Sequence, residues 1–186
     1  MVAVGVGKGA PRVLARERVQ LVETFTYRFR QPYHTAEKLP MSQAREFVAG
    51  VGKEAQRLAY RAIRSAQGEL EKQGITLTRC ALLLASGRTL PNLENILQSH
   101  ALIHTADGEL FREALLSAAK RFGLETVKIR ERELFDCARK ILRAEPAVLL
   151  RRVTEPGKMF GSPWSQDEKF ATLAAWMAVR GVSNQP

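Results

Sequence analysis

The run Cys80-Ala-Leu-Leu-Leu-Ala85 has no polar residue, follows Gly74 by a few residues and ends at the polar turn Ser86-Gly87-Arg88. A strand without a polar face has to be covered on both sides, and the stretches before and after it have the three- and four-residue apolar spacing of helices that can do so. The run is therefore expected at the centre of a sheet, in a chain of the α/β class.

The remaining elements follow from periodicity. Residues 2–6 read as a short strand, and residues 18–30 as a longer one whose odd positions Val19, Leu21, Phe25, Tyr27 and Phe29 make one face. Glu23 interrupts that face. A carboxylate at an inward position needs a partner, most simply an arginine or histidine from a neighbouring element, or a bulge that turns it out. Between residues 42 and 73, Phe47, Val48, Val51, Ala55, Leu58, Ala62, Ala66 and Leu70 recur at helical spacing, which predicts one long amphipathic helix. Leu93, Ile96, Leu97, His100, Ile103 and His104 make the stripe of the next helix, expected to bend near Thr105 before a second run through Phe111, Ala114, Leu115, Ala118 and Phe122. Val127 and Ile129 alternate with Lys128 and Arg130 in a half-exposed strand, and Leu134, Ala138 and Ile141 begin another helix. Residues 146–165 contain Thr154-Glu-Pro-Gly-Lys158 and Phe160-Gly-Ser-Pro163, turn-rich pieces expected to form a mobile loop. Ser165-Gln-Asp-Glu168 then has the spacing of a capping box ahead of a closing helix.

The 186 residues, 45% of them hydrophobic, suffice for one well-buried domain. The expected fold is a single α/β domain over residues 1–186, a mixed sheet with parallel central strands flanked by helices, ribonuclease-H-like or Rossmann-like. Cys80 and Cys137 lack CxxC spacing and suit small core residues in a reducing compartment. The first residues lack the basic and long apolar regions of a signal peptide, and no run approaches the roughly 20 apolar residues of a membrane span. A cytoplasmic protein with no membrane partner is expected.

Twenty-nine Lys and Arg against 19 Asp and Glu give a formal charge of +10, which favours a polyanionic partner. Lys53, Arg57, Arg61 and Arg64 fall along one side of the long helix and form a stripe suited to tracking phosphates or an acidic partner. Gly5-Val-Gly-Lys-Gly9 has the glycines of a phosphate-cradling loop, but Pro11 and the β-rich residues beyond it begin no helix, so a hairpin turn is expected. Ser86, Gly87 and Arg88 leave the carboxyl end of the central strand, the edge where open parallel sheets bind ligands, and Arg88 offers a planar fork for phosphate or carboxylate.

The densest group of chemistry-bearing residues is Ser99-His-Ala-Leu-Ile-His-Thr-Ala-Asp-Gly-Glu109. His100 and His104 are four apart, so both imidazoles project from one helix face and can share a divalent metal with Asp107 or Glu109. Asp167 is a further candidate acid on the closing helix. Three readings follow: a protein that binds nucleic acid or a phosphorylated ligand, a metal hydrolase built on His100, His104, Asp107 and Glu109, or a non-catalytic module for an acidic partner.

From the central strand onward, Cys80-Ala-Leu-Leu-Leu-Ala85, Arg121-Phe-Gly-Leu124 leading into Val127-Lys-Ile-Arg130, and Asp167-Glu-Lys-Phe-Ala-Thr-Leu-Ala-Ala175 resemble the ribonuclease-H-like superfamily, most nearly its Holliday-junction resolvase branch. The resemblance covers about two thirds of the chain and implies a metal-dependent phosphodiesterase with acids on the first strand, the central strand and the last helix. Here the first strand ends in Gly7-Lys8 and the central one in Ser86, so only Asp167 matches.

Overall fold

The computed structural model describes residues 1–85 and 89–181. In chain order these form β1 (Val2–Val6), β2 (Pro11–Arg16), α1 (Tyr27–Arg30), α2 (Pro32–Ala36), α3 (Met41–Glu71), β3 (Arg79–Leu84), α4 (Leu93–Leu97), α5 (His100–Arg121), β4 (Glu125–Arg130), α6 (Leu134–Leu142), α7 (Pro146–Thr154), α8 (Gly157–Phe160) and α9 (Gln166–Arg180). The protein is a helix-rich α/β chain whose contacts divide it into two compact units, both discontinuous in sequence. The first comprises Met1–Arg18, Leu77–Leu84 and Gly123–Pro186, and the second Val19–Thr76 and Ala85–Phe122. Among the described residues no helix is long and apolar enough to cross a membrane.

The first unit holds the four strands found among the described residues. β1 and β2 form an antiparallel hairpin, with Val2 opposite Arg16 and Val6 opposite Pro11. The turn follows from Gly7, where a Cβ would run into the Ala10 carbonyl oxygen, and from Gly9, whose φ of 72° favours glycine. β3 and β4 run parallel, from Arg79 opposite Glu125 to Leu84 opposite Arg130. The mixed sheet expected from the sequence is thus two separate two-stranded ladders. The apolar run is not a fully enclosed centre either. It is half-buried from Cys80 to Leu84, exposed at Ala85, and pairs with β4 alone among the described residues.

α9 explains why so short a sheet is enough, because it packs on both β1 and β3. Its inward residues Leu173, Ala174, Trp176, Met177 and Ala178 join Val127 and Ile129 of β4, Leu134 and Ala138 of α6, and Leu149 and Val153 of α7 in one core. The capping box forms as its spacing predicts: Ser165 Oγ accepts from the backbone N–H of Asp167, and the Glu168 carboxylate accepts from the N–H of Ser165 at 2.8 Å. The expected loop over 146–165 is instead largely helical. Pro146 starts α7 at its first turn, where a missing N–H costs nothing, and Leu149 and Val153 are fully buried.

The second unit is helical. α3 follows its expected limits closely, but its buried residues are Ala44, Val51, Ala55, Ala59, Ile63 and Leu70. Small side chains at four-residue spacing let a neighbouring backbone approach, and α3 packs along α5. The strand expected over 18–30 is absent. Val22 is buried while Phe25 and Tyr27 are exposed, so the alternation never marked a buried face, and residues 27–30 and 32–36 turn helical around Pro32. α5 is one continuous helix from His100 to Arg121; the expected bend near Thr105 lies instead at Gln98 and Ser99, before the helix begins.

Candidate metal centre

All three histidines of the chain meet in the second unit. His100 and His104 stand one turn apart at the start of α5, as their spacing predicts, with Nε2 atoms 3.1 Å apart. His34 comes from α2, which packs on α5, and its ring centroid lies 4.4 Å from that of His104 and 5.4 Å from that of His100. One ligand nitrogen from each ring lies within 4.8 Å of the other two. Two nitrogens bound to one tetrahedral zinc ion stand roughly 3.3 Å apart, as follows from metal–nitrogen bonds of about 2.0–2.1 Å. The His100–His104 pair is near that spacing.

Asp107 fixes the third ring. Its Oδ2 lies 2.5 Å from His34 Nδ1, and its Oδ1 accepts from the backbone N–H of Tyr33 at 2.7 Å. An ionised carboxylate accepts only, so in neutral His34 the proton sits on Nδ1 and the lone pair is on Nε2. This is the carboxylate–histidine arrangement that orients metal-binding imidazoles. Three turns of sequence logic support it: Pro32 starts α2, Asp107 sits on the inward face of α5, and Ile96, Ile103 and Ala106 form the apolar cluster against which Tyr33 packs. Burial, with the carboxylates of Glu113 and Asp107, raises the Tyr33 phenol above its ordinary pKa, so that side chain stays neutral.

His34 and Asp107 are buried, whereas His100 and His104 are exposed. The cluster therefore has a closed floor and an open outer side. A divalent ion held there by the three imidazoles would have its remaining coordination positions on that exposed side.

The other sequence candidates are distributed as follows. Glu109 does not join the histidines; its carboxylate accepts from Arg112 at 3.0 Å. Asp107 is not one of the three converging side chains, and its carboxylate lies against His34. Asp167 belongs to the first unit, where it is exposed in the capped turn of α9. Glu23 is exposed and not inward, and it forms an ion pair with Arg57, whose guanidinium also pairs with Glu54 at 2.5 Å. That pair depresses the Glu54 carboxyl below its usual range, chiefly through the hydrogen bond from Arg57. The basic stripe consequently keeps Lys53, Arg61 and Arg64 as exposed cations, while Arg57 is held by two acids. Ser86, Gly87 and Arg88 lie outside the described residues.

His34 is the residue that sequence reasoning missed. Its neighbours Gln31-Pro-Tyr-His-Thr35 read as the end of a strand, and 66 residues separate it from His100. The available signal was the scarcity of histidine itself, since a third imidazole had to be somewhere. Compared with protein-family models, curated proteins and solved structures, the chain has no match.

Proposed function

We propose that the protein is a metal-dependent hydrolase of phosphorylated substrates, holding one divalent ion of the zinc class on Nε2 of His34, His100 and His104. The observation that carries this reading is the convergence of every histidine in the chain on one spot, with a buried aspartate behind the innermost ring. When bound, such an ion supplies Lewis acidity and a water acidified toward neutral pH. The residues supply the rest: Asp107 sets the tautomer of His34, α5 fixes the spacing of the other two rings, and the net charge of +10 draws anionic substrates.

The ribonuclease-H-like reading of the fold belongs with this proposal. It draws support from the parallel β3–β4 pair joined through intervening helices and from the closing helix that packs on it. The acids present do not fit that family's carboxylate-held metals, however, because Asp167 alone matches. A histidine-held ion suits this chain better.

Titration of the metal-free chain with zinc(II), and with cobalt(II) for its visible bands, tests the site. One ion per chain is expected, with binding weakened at least a hundredfold in His34→Ala, His100→Ala and His104→Ala. Hydrolysis of bis(p-nitrophenyl) phosphate should need the metal and disappear in the same variants. Binding unaffected by the three substitutions would overturn the reading.

A further inference from the structure

Residues 24–30, Thr-Phe-Thr-Tyr-Arg-Phe-Arg, have no place in the metal site, yet they run directly into α2, which carries His34. Phe25 is 54% exposed and Tyr27 57% exposed. Single exposed rings are ordinary on a protein surface. Here two lie two residues apart, interleaved with guanidinium groups. Arg30 sits 4.4 Å from the centroid of the Phe25 ring, and Arg28 sits 5.0 Å from that of Phe47. The Tyr27 ring lies edge-on to His34 with centroids 6.4 Å apart, so the strip ends at the histidine cluster. Among the described residues no carboxylate is within ion-pairing range of Arg28 or Arg30.

We infer that this strip is a platform for single-stranded nucleic acid, with unpaired bases on Phe25 and Tyr27 and phosphates on Arg28 and Arg30. The inference deepens the metal-hydrolase reading, on which it rests for the fate of the strand, by naming the substrate class. Exposed rings beside fixed cations are what stacking on unpaired bases requires, whereas paired bases hide their faces in the duplex. An acidic peptide would use the arginines and leave the rings without a role. The guanidinium groups of Arg30 and Arg28 already lie against rings, which lowers the cost of ordering them on a phosphate.

Fluorescence anisotropy of labelled dT12 and rU12 tests this with the full chain in EDTA, where the metal plays no part. Binding is expected at low salt to one or both, weakening about tenfold on each of Phe25→Ala and Tyr27→Ala. Arg28→Gln with Arg30→Gln should weaken it further and flatten the dependence of log K on log salt by about 1.4, the value for two phosphate contacts on a single strand. Because both rings are exposed, the alanine variants should keep the parental circular dichroism. The inference fails if neither strand binds, if the ring substitutions leave binding unchanged, or if duplex or polyglutamate competes equally well. Strand binding in EDTA by a chain that takes up no zinc would sink the metal reading and leave this one standing.

Discussion

Asp107 Oδ2 lies 2.5 Å from His34 Nδ1, and both side chains are buried. The two residues are 73 apart in sequence, so the bond fastens α2 to α5 as well as setting a tautomer. Asp107→Asn keeps the shape but presents an amide that can donate to Nδ1, favouring the ring form protonated at Nε2, which leaves that nitrogen no lone pair for a metal. Zinc affinity should fall 10- to 100-fold with the fold intact. Asp107→Ala strands a buried imidazole N–H and should cost about 1–3 kcal/mol in urea denaturation.

The helix over 146–154 is tested by Leu149→Ala. A fully buried leucine in a packed core loses about 2–5 kcal/mol on truncation, while a leucine in a solvated loop loses almost nothing. A clear fall in the denaturation midpoint is expected.

Two glycines should respond with opposite sign. Gly7→Ala drives a methyl group into the Ala10 carbonyl and should destabilise the hairpin by more than about 1 kcal/mol. Gly50→Ala meets nothing within 4 Å in α3 and should raise stability by roughly 0.5–1 kcal/mol through helix propensity. Thermal melts of the two variants should move in opposite directions.

Glu168 carries a pH signature. The hydrogen bond from Ser165 leads the effects that lower its pKa to about 2, with the backbone N–H of Ser165 and Arg16 adding to it. The folded value lies below the unfolded one, so its contribution is fully present above the ordinary carboxylate range and is lost as pH falls toward 2. Glu168→Gln should therefore be less stable than the parent at pH 7, by about 1 kcal/mol as for a lost helix cap, and the gap should close on acidification. A gap that stayed constant to pH 2 would show that the carboxylate charge contributes nothing.

How much was legible in the sequence depended on whether a pattern reported burial. Ser165 and Glu168 specify their own cap, and Val127 and Ile129 alternate because one side of β4 is buried, so both could be read locally. Phe25 and Tyr27 alternate too, but they face solvent, and no local rule distinguishes that from a strand. In α3 the buried face is written in alanines, Ala44, Ala55 and Ala59, which carry little hydrophobic signal and matter because of how closely a neighbour can approach. His100 and His104 were visible as a pair since a single helix places them together. Their third partner depended on the packing of α2 against α5, which no spacing encodes.

The interleaving of the two units also imposes an order on synthesis. The second unit has all its residues once Phe122 has been made, so the three histidines and Asp107 can come together while the last third of the chain is still being translated. The first unit begins with β1, yet the helix that covers β1 is α9, which follows every other described element. Until α9 has been made, the hairpin therefore lacks the helix that packs on β1, and its strands are a surface that a nascent chain would need shielded.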